Sequence, residues 1–162
     1  MRKFAAFLCV ALVTPALSAT HKVPADDPIA TIQIPDKWQS KELGEGVEAT
    51  SPDGAVCFLV VPAEANKVAE SMGEAMRYLR GKNGITVKSD SVRREQGKLN
   101  EMETRKFSWQ GKDMKGGDVE IRFTIVSIVQ NKRLLVAYWG SPKAERKRET
   151  ELNKILRSIK KP

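Results

Sequence analysis

Apolar residues recur with a period of two over most of this chain and with a period near 3.6 in two places, a pattern that predicts mainly strands with two helices. The first alternating run is 29–34, with Ile32 and Ile34 on one face, and Pro35-Asp36 ends it. Trp38 follows in a connecting stretch. Residues 46–51 and 55–61 form two extended runs joined by Pro52-Asp53-Gly54, where proline presets φ and glycine closes a tight turn. Val68, Met72, Ala75, Met76 and Leu79 then share one face of a helix spanning about 66–80. Asn66 suits its amino-terminal cap, and Gly81 or Gly84 its end. The two methionines read as core, because soft-metal sites usually add cysteine or histidine.

From 85 to 138 the pattern is an antiparallel meander, with turn signals at Gln96-Gly97-Lys98, in the polar stretch 111–118 and at Asn131-Lys132. Val119, Ile121, Phe123 and Ile125 alternate with polar residues, which predicts one buried and one wet face. Val126, Ile128 and Val129, and then residues 134–139, are apolar on both faces. A sheet buried twice needs two covers, and helices are the available ones. The last helix opens with Ser141 as cap and Pro142 in its first turn. Leu152, Ile155, Leu156 and Ile159 form its apolar stripe, opposite Lys143, Arg146, Lys147, Lys154, Arg157 and Lys161. The predicted class is α+β: a single domain with an antiparallel β-sheet sandwiched between helices.

The amino terminus adds a compartment. Arg2 and Lys3 precede an apolar run over 4–13, and Pro15, Ser18 and Ala19 follow it, so residues 1–19 read as a signal peptide cut near Ala19. The run falls short of the roughly 20 apolar residues that a spanning helix needs. Cys9 stands too early for lipoprotein acylation, so a soluble periplasmic or secreted protein is expected. Residues 20–28, polar and carrying two prolines, are expected to be a flexible lead-in to a folded domain over 29–162. Cleavage leaves Cys57 without a disulfide partner, and its apolar neighbours suggest burial. Of the formal charge of +8, Arg2 and Lys3 supply two, so the exported form carries +6. That balance suits anionic lipid, acidic proteins or simple solubility.

Catalytic chemistry finds little support. His21 is the chain's one histidine, in a terminus expected to fray, so a nucleophile lacks its usual base and a histidine-bearing zinc site is not expected. Asp26-Asp27 and Glu42, Glu45 and Glu48 fall in loops or on a wet strand edge. Ser158 to Lys161 spells S-x-x-K but stands at the chain end without companion motifs. No catalytic residue, cofactor or metal is assigned. Trp38 and Trp109, beside loops, and Lys143, Arg146, Lys147, Lys154 and Arg157 are the candidate contacts for a partner or an anion, set against structural packing for the two tryptophans and a solvated face for the cations, while Trp139 reads as core. Nucleic acid is not expected, since no aromatic residue interleaves with the helix cations. No obligate oligomer is implied.

Four segments together resemble the PsbP-like superfamily: Ile34-Pro35-Asp36-Lys37-Trp38, Ser51-Pro52-Asp53-Gly54 before an apolar strand, residues 135–139, and residues 155–160. That group contains the extrinsic P protein of photosystem II, the Mog-type Ran-binding factors and the DcrB-like bacterial envelope proteins. The resemblance spans nearly all of the chain after the leader, through short and degenerate motifs. It implies an α/β/α sandwich and a docking or assembly role, and it supplies no shared catalytic residue. The leading expectation is therefore a non-enzymatic interaction module of the bacterial envelope with a protein partner. A basic module on an anionic membrane or envelope surface is the alternative. A hydrolase using carboxylates alone is a third, which requires a deep pocket lined by two or more acidic side chains.

Overall fold

The computed structural model describes residues 17–162. The predicted leader lies outside the described residues except for 17–19, and its cleavage is not addressed by them. The chain begins with β1 (Ser18–Val23), which pairs antiparallel with β2 (Ala30–Pro35) as a two-stranded ribbon. The lead-in expected to be flexible is therefore a paired strand over four of its nine residues, 20–23. His21 sits in that strand opposite Ile32, and Val23 is fully buried. The polarity of 18–22 concealed this, because only the last residue of β1 faces the core.

Next come β3 (Gln39–Leu43), β4 (Gly46–Thr50) and β5 (Val56–Glu64), then α1 (Val68–Asn83). The meander follows as β6 (Thr86–Leu99), β7 (Met102–Lys112), β8 (Asp118–Val129) and β9 (Lys132–Gly140), and α2 (Pro142–Arg157) closes the chain. β3 to β9 form one antiparallel sheet in the order β3-β4-β5-β9-β8-β7-β6. β3 was not anticipated, because four of its five residues are exposed and polar and only pairing with β4 makes it a strand.

The central strands carry two cores. Val56, Phe58 and Val60 of β5, with Val126 and Ile128 of β8 and Leu134 and Val136 of β9, face α2 and the β1–β2 ribbon. Leu59, Ile121, Phe123, Ile125, Leu135, Ala137 and Trp139 face α1. Residues of alternate parity thus enter opposite cores, which explains the unbroken apolar runs. Phe58 and Phe123 are fully buried on opposite faces, each contributing roughly 1.5–3 kcal/mol by transfer from water.

Local signals resolve unevenly. Ser141 accepts a hydrogen bond from the Ala144 amide at 3.2 Å, and Gly84 ends α1 in the left-handed conformation, both as expected. The expected Asn66 cap is instead Lys67, which makes no side-chain cap bond. The β6–β7 turn is not at Gln96-Gly97-Lys98. It falls at Asn100 and Glu101, both with positive φ, and Gly97 pairs with Thr104 inside the ladder. Two consecutive left-handed residues match the twist of a hairpin, and the Asn100 amide is also drawn to the carbonyls of Arg157 and Ile159, 2.8 Å from each.

Candidate functional site

Trp38 is the clearest correction among the candidate contacts. It is 3% exposed, and its indole donates to the Glu151 carboxylate at 2.9 Å. Lys37 donates to the same carboxylate at 2.6 Å, while Arg148 bonds both Glu151 and Asp53. Asp53 also accepts from Ser51 at 2.7 Å. The Ser51 hydroxyl and then the Arg148 guanidinium hold the Asp53 carboxyl well below its usual range. This network ties the β2–β3 connection and the β4–β5 turn to α2. The motifs 34–38 and 51–54 are thus structural, and Trp38 is not available as a partner contact.

The helix cations fare differently. Lys143, Arg146, Lys147, Lys154 and Arg157 are all exposed on α2, and of these five only Lys147 forms an ion pair among the described residues, with Asp53 at 3.5 Å. Trp109 on β7 is partly exposed, stacks on Phe107 at 6.0 Å and meets Phe123 edge-on at 5.3 Å. The cations and Trp109 lie on opposite faces of the sheet and form no common site.

Sequence reasoning missed a polar cleft of about 300 Å³ between the start of α2 and the sheet, lined by Glu120, Arg122, Tyr138, Glu145, Arg146 and Glu149. Arg122 lies two residues before Thr124 on the α2 side of β8, so its guanidinium meets both Glu120 and, at 2.8 Å through Nε, Glu145. Glu145 is 7% exposed, and its other oxygen is sealed without a partner. Burial, opposed by the Arg122 bond, pushes its carboxyl up to about 7. Burial likewise pushes Tyr138 up to about 12. Arg122 is itself raised: burial works against its charge, but the Glu145 bond together with the charges of the surrounding acidic groups outweighs it.

This cleft supplies the acidic lining that a carboxylate hydrolase requires. A general acid must reach the proton acceptor on the substrate, and two of these carboxylates are engaged within the protein. One Glu145 oxygen is spent on Arg122 and the other is closed to solvent, while Glu120 is held by the same guanidinium. A third carboxylate was also misplaced by sequence: Glu48 is 8% exposed on β4 and is bound by Lys82 at 2.8 Å and by the Tyr78 hydroxyl at 2.9 Å. The Glu48 bond, followed by that of Tyr78, drives the Lys82 ammonium above its usual range. Cys57 is partly buried, and burial raises its thiol, so it is not an activated nucleophile.

Among the described residues no group of three or more histidine, cysteine or acidic side chains is arranged to hold a metal, and no helix is long and apolar enough to cross a membrane.

No protein-family model matches the chain, and no curated protein matches it. Solved structures do. Cyanobacterial PsbP (CyanoP) from Synechocystis is 8% identical with a TM-score of 0.58, over 94% of this chain and 97% of that one. LpqN of Mycobacterium tuberculosis, described as involved in cell envelope biogenesis, is 13% identical with a TM-score of 0.55, over 90% and 92%. A crystal structure from Bacteroides thetaiotaomicron is 12% identical with a TM-score of 0.55 over 83% of this chain, which spans 45% of that longer protein.

Proposed function

We propose, with the PsbP-like α+β fold of this chain as the premise, that it is an exported, non-enzymatic protein-interaction or assembly module of the bacterial envelope. The observation that carries this reading is the length of the outer hairpin: β6 buries none of its 14 residues, and β7 buries three of its 11. Helix α1 lies over β5 and β9, and α2 over β2, β8 and β9, so the outer strands extend past both covers. A surface built in this way, rather than an enclosed reactive centre, is what a docking protein presents. The envelope role described for LpqN, the leader-like amino terminus and the resemblance to docking proteins point the same way.

The test is capture of crosslinked partners from an envelope extract, with the tag on the carboxy terminus. A specific protein recovered above background supports the reading, and repeated recovery of nothing counts against it.

The exposed and largely unpaired cations of α2 favour a second reading, binding to an anionic lipid or envelope surface. It predicts salt-sensitive flotation with anionic liposomes. If glutamine at Lys143, Lys154 and Arg157 leaves flotation unchanged, the idea fails.

A further inference from the structure

We propose that the α1 face of the outer sheet, around Arg94, Lys98, Arg105 and Arg133, binds an extended acidic segment of a partner protein. The proposal rests on the reading of this chain as an interaction module and supplies the chemistry of its partner.

The register of the ladder brings these residues together. On the α1 face one row runs Leu135, Ile125, Arg105, Gln96 across β9, β8, β7 and β6, and the next runs Ala137, Phe123, Phe107, Arg94. Beside them, Arg133 pairs with Ser127 and Glu103 with Lys98. Each row is buried and apolar beneath the helix and becomes polar beyond it. The transition leaves Arg94, Lys98 and Arg105 exposed and Arg133 partly so.

Their charge is uncompensated. Among the described residues none of these four cations makes a salt bridge, and Glu103 is the one carboxylate on the same rows. Arg133 donates through Nη1 to the carbonyls of Val129, Gln130 and Lys132, which fixes its position while leaving its charge unmatched. A groove of about 570 Å³ runs between Lys98, Arg105 and Arg133 and the start of α1, with Val68 and Ile125 in its lining. On the same face of β7, two and four residues beyond Arg105, the stacked pair of Phe107 and Trp109 is partly exposed and available to an apolar side chain.

Shape and spacing select the guest. Arg94 and Lys98 stand four residues apart on one strand, roughly 13 Å, and an extended segment brings every fourth side chain to the same spacing on the same face. Carboxylates on such a segment meet the cations in succession. A groove walled by α1 suits a chain laid into it better than a flat lipid surface, which would engage the open face of α2 first. Exposed ion pairs are individually weak, so binding here depends on several acting together and is strongly screened by salt.

The probe is a synthetic peptide of about twelve residues, roughly 40 Å extended, alternating Glu and Ser around a central Phe, with a Lys-for-Glu counterpart as control. Binding to the full exported chain is followed by peptide anisotropy and by the change in tryptophan emission, assigned to Trp109 by its loss in Trp109→Phe because Trp38 and Trp139, each 3% exposed, also emit but are out of the peptide's reach. The acidic peptide should bind and the basic one should not, with affinity falling about tenfold between roughly 50 and 300 mM salt. Arg94→Gln with Arg105→Gln should weaken binding about tenfold, while Lys143→Gln with Arg157→Gln leaves it intact. Circular dichroism confirms that each variant is folded. No binding of the acidic peptide, or binding indifferent to Arg94 and Arg105, overturns the proposal. So does anionic vesicle binding that needs Arg94 and Arg105 when the peptide does not bind. A partner captured from the envelope equally well by the Arg94/Arg105 variant removes this surface and leaves the module reading standing. Peptide binding with no partner captured does the reverse.

Discussion

Glu145 shows how a single side chain can set a pH dependence without taking part in catalysis. In the fold its carboxyl titrates near 7, chiefly because it is buried, whereas an unfolded glutamate titrates near 4.5. Between those values the folded state holds the additional proton, so stability is greatest at the acid end and falls as pH rises toward 7, by up to about 3 kcal/mol. Thermal melts between pH 5 and 8 should show that decline, and Glu145→Gln, a neutral isostere, should flatten it. A variant melting curve with the same slope as the parent would remove Glu145 as the cause. Trp38, beside a loop, is packed rather than presented to a partner. Trp38→Phe keeps most of the buried area but leaves Glu151 short of a donor, and a loss of about 1 kcal/mol in denaturant unfolding is expected with no effect on partner capture.

At the scale of the element, caps and turns were legible wherever one residue type has a local reason to be there. Ser141-Pro142 marked the start of α2 because a hydroxyl at the cap and a ring at the first position satisfy groups that no tertiary contact needs to supply. Ser141→Ala should cost about 1 kcal/mol in unfolding free energy, read by urea titration. The β6–β7 turn was not legible, since glycine at Gln96-Gly97-Lys98 drew attention away from Asn100-Glu101. Glutamate at φ +67 is strained, so Glu101→Gly should raise stability by roughly 0.5–1 kcal/mol in the same titration. Asn100 is the residue that joins the hairpin to the end of α2, and that role depends on a contact 57 residues distant. β3 and β1 share the same difficulty: both are polar strands created by a partner.

For the whole molecule, the unequal cover of the sheet is the feature from which the docking reading and its acidic partner segment proceed. The inner strands are stabilised by two cores, whereas the outer hairpin relies on its ladder and on the aromatic pair at Trp109. Deleting residues through Val23 should lower the melting temperature by several degrees, because it strips the ribbon from one core and exposes Ala30 and Ile32. Unchanged melting would show that β1 adds no stability. Of the candidate contacts, the α2 cations could be placed on an outer face from helical periodicity alone. The Arg122 cleft and the cation rows on β6 and β7 could not, since each gathers residues from strands whose neighbours are set by pairing.

The sequence by itself determined the two-sided burial of the central strands, both helices and the α+β class, because periodicity of apolar side chains is a local property of the chain. Tertiary structure decided which tryptophan is exposed, which carboxylate is sealed and which cations stand together. Those outcomes depend on register and on what lies across the sheet, and neither is encoded by spacing along one strand.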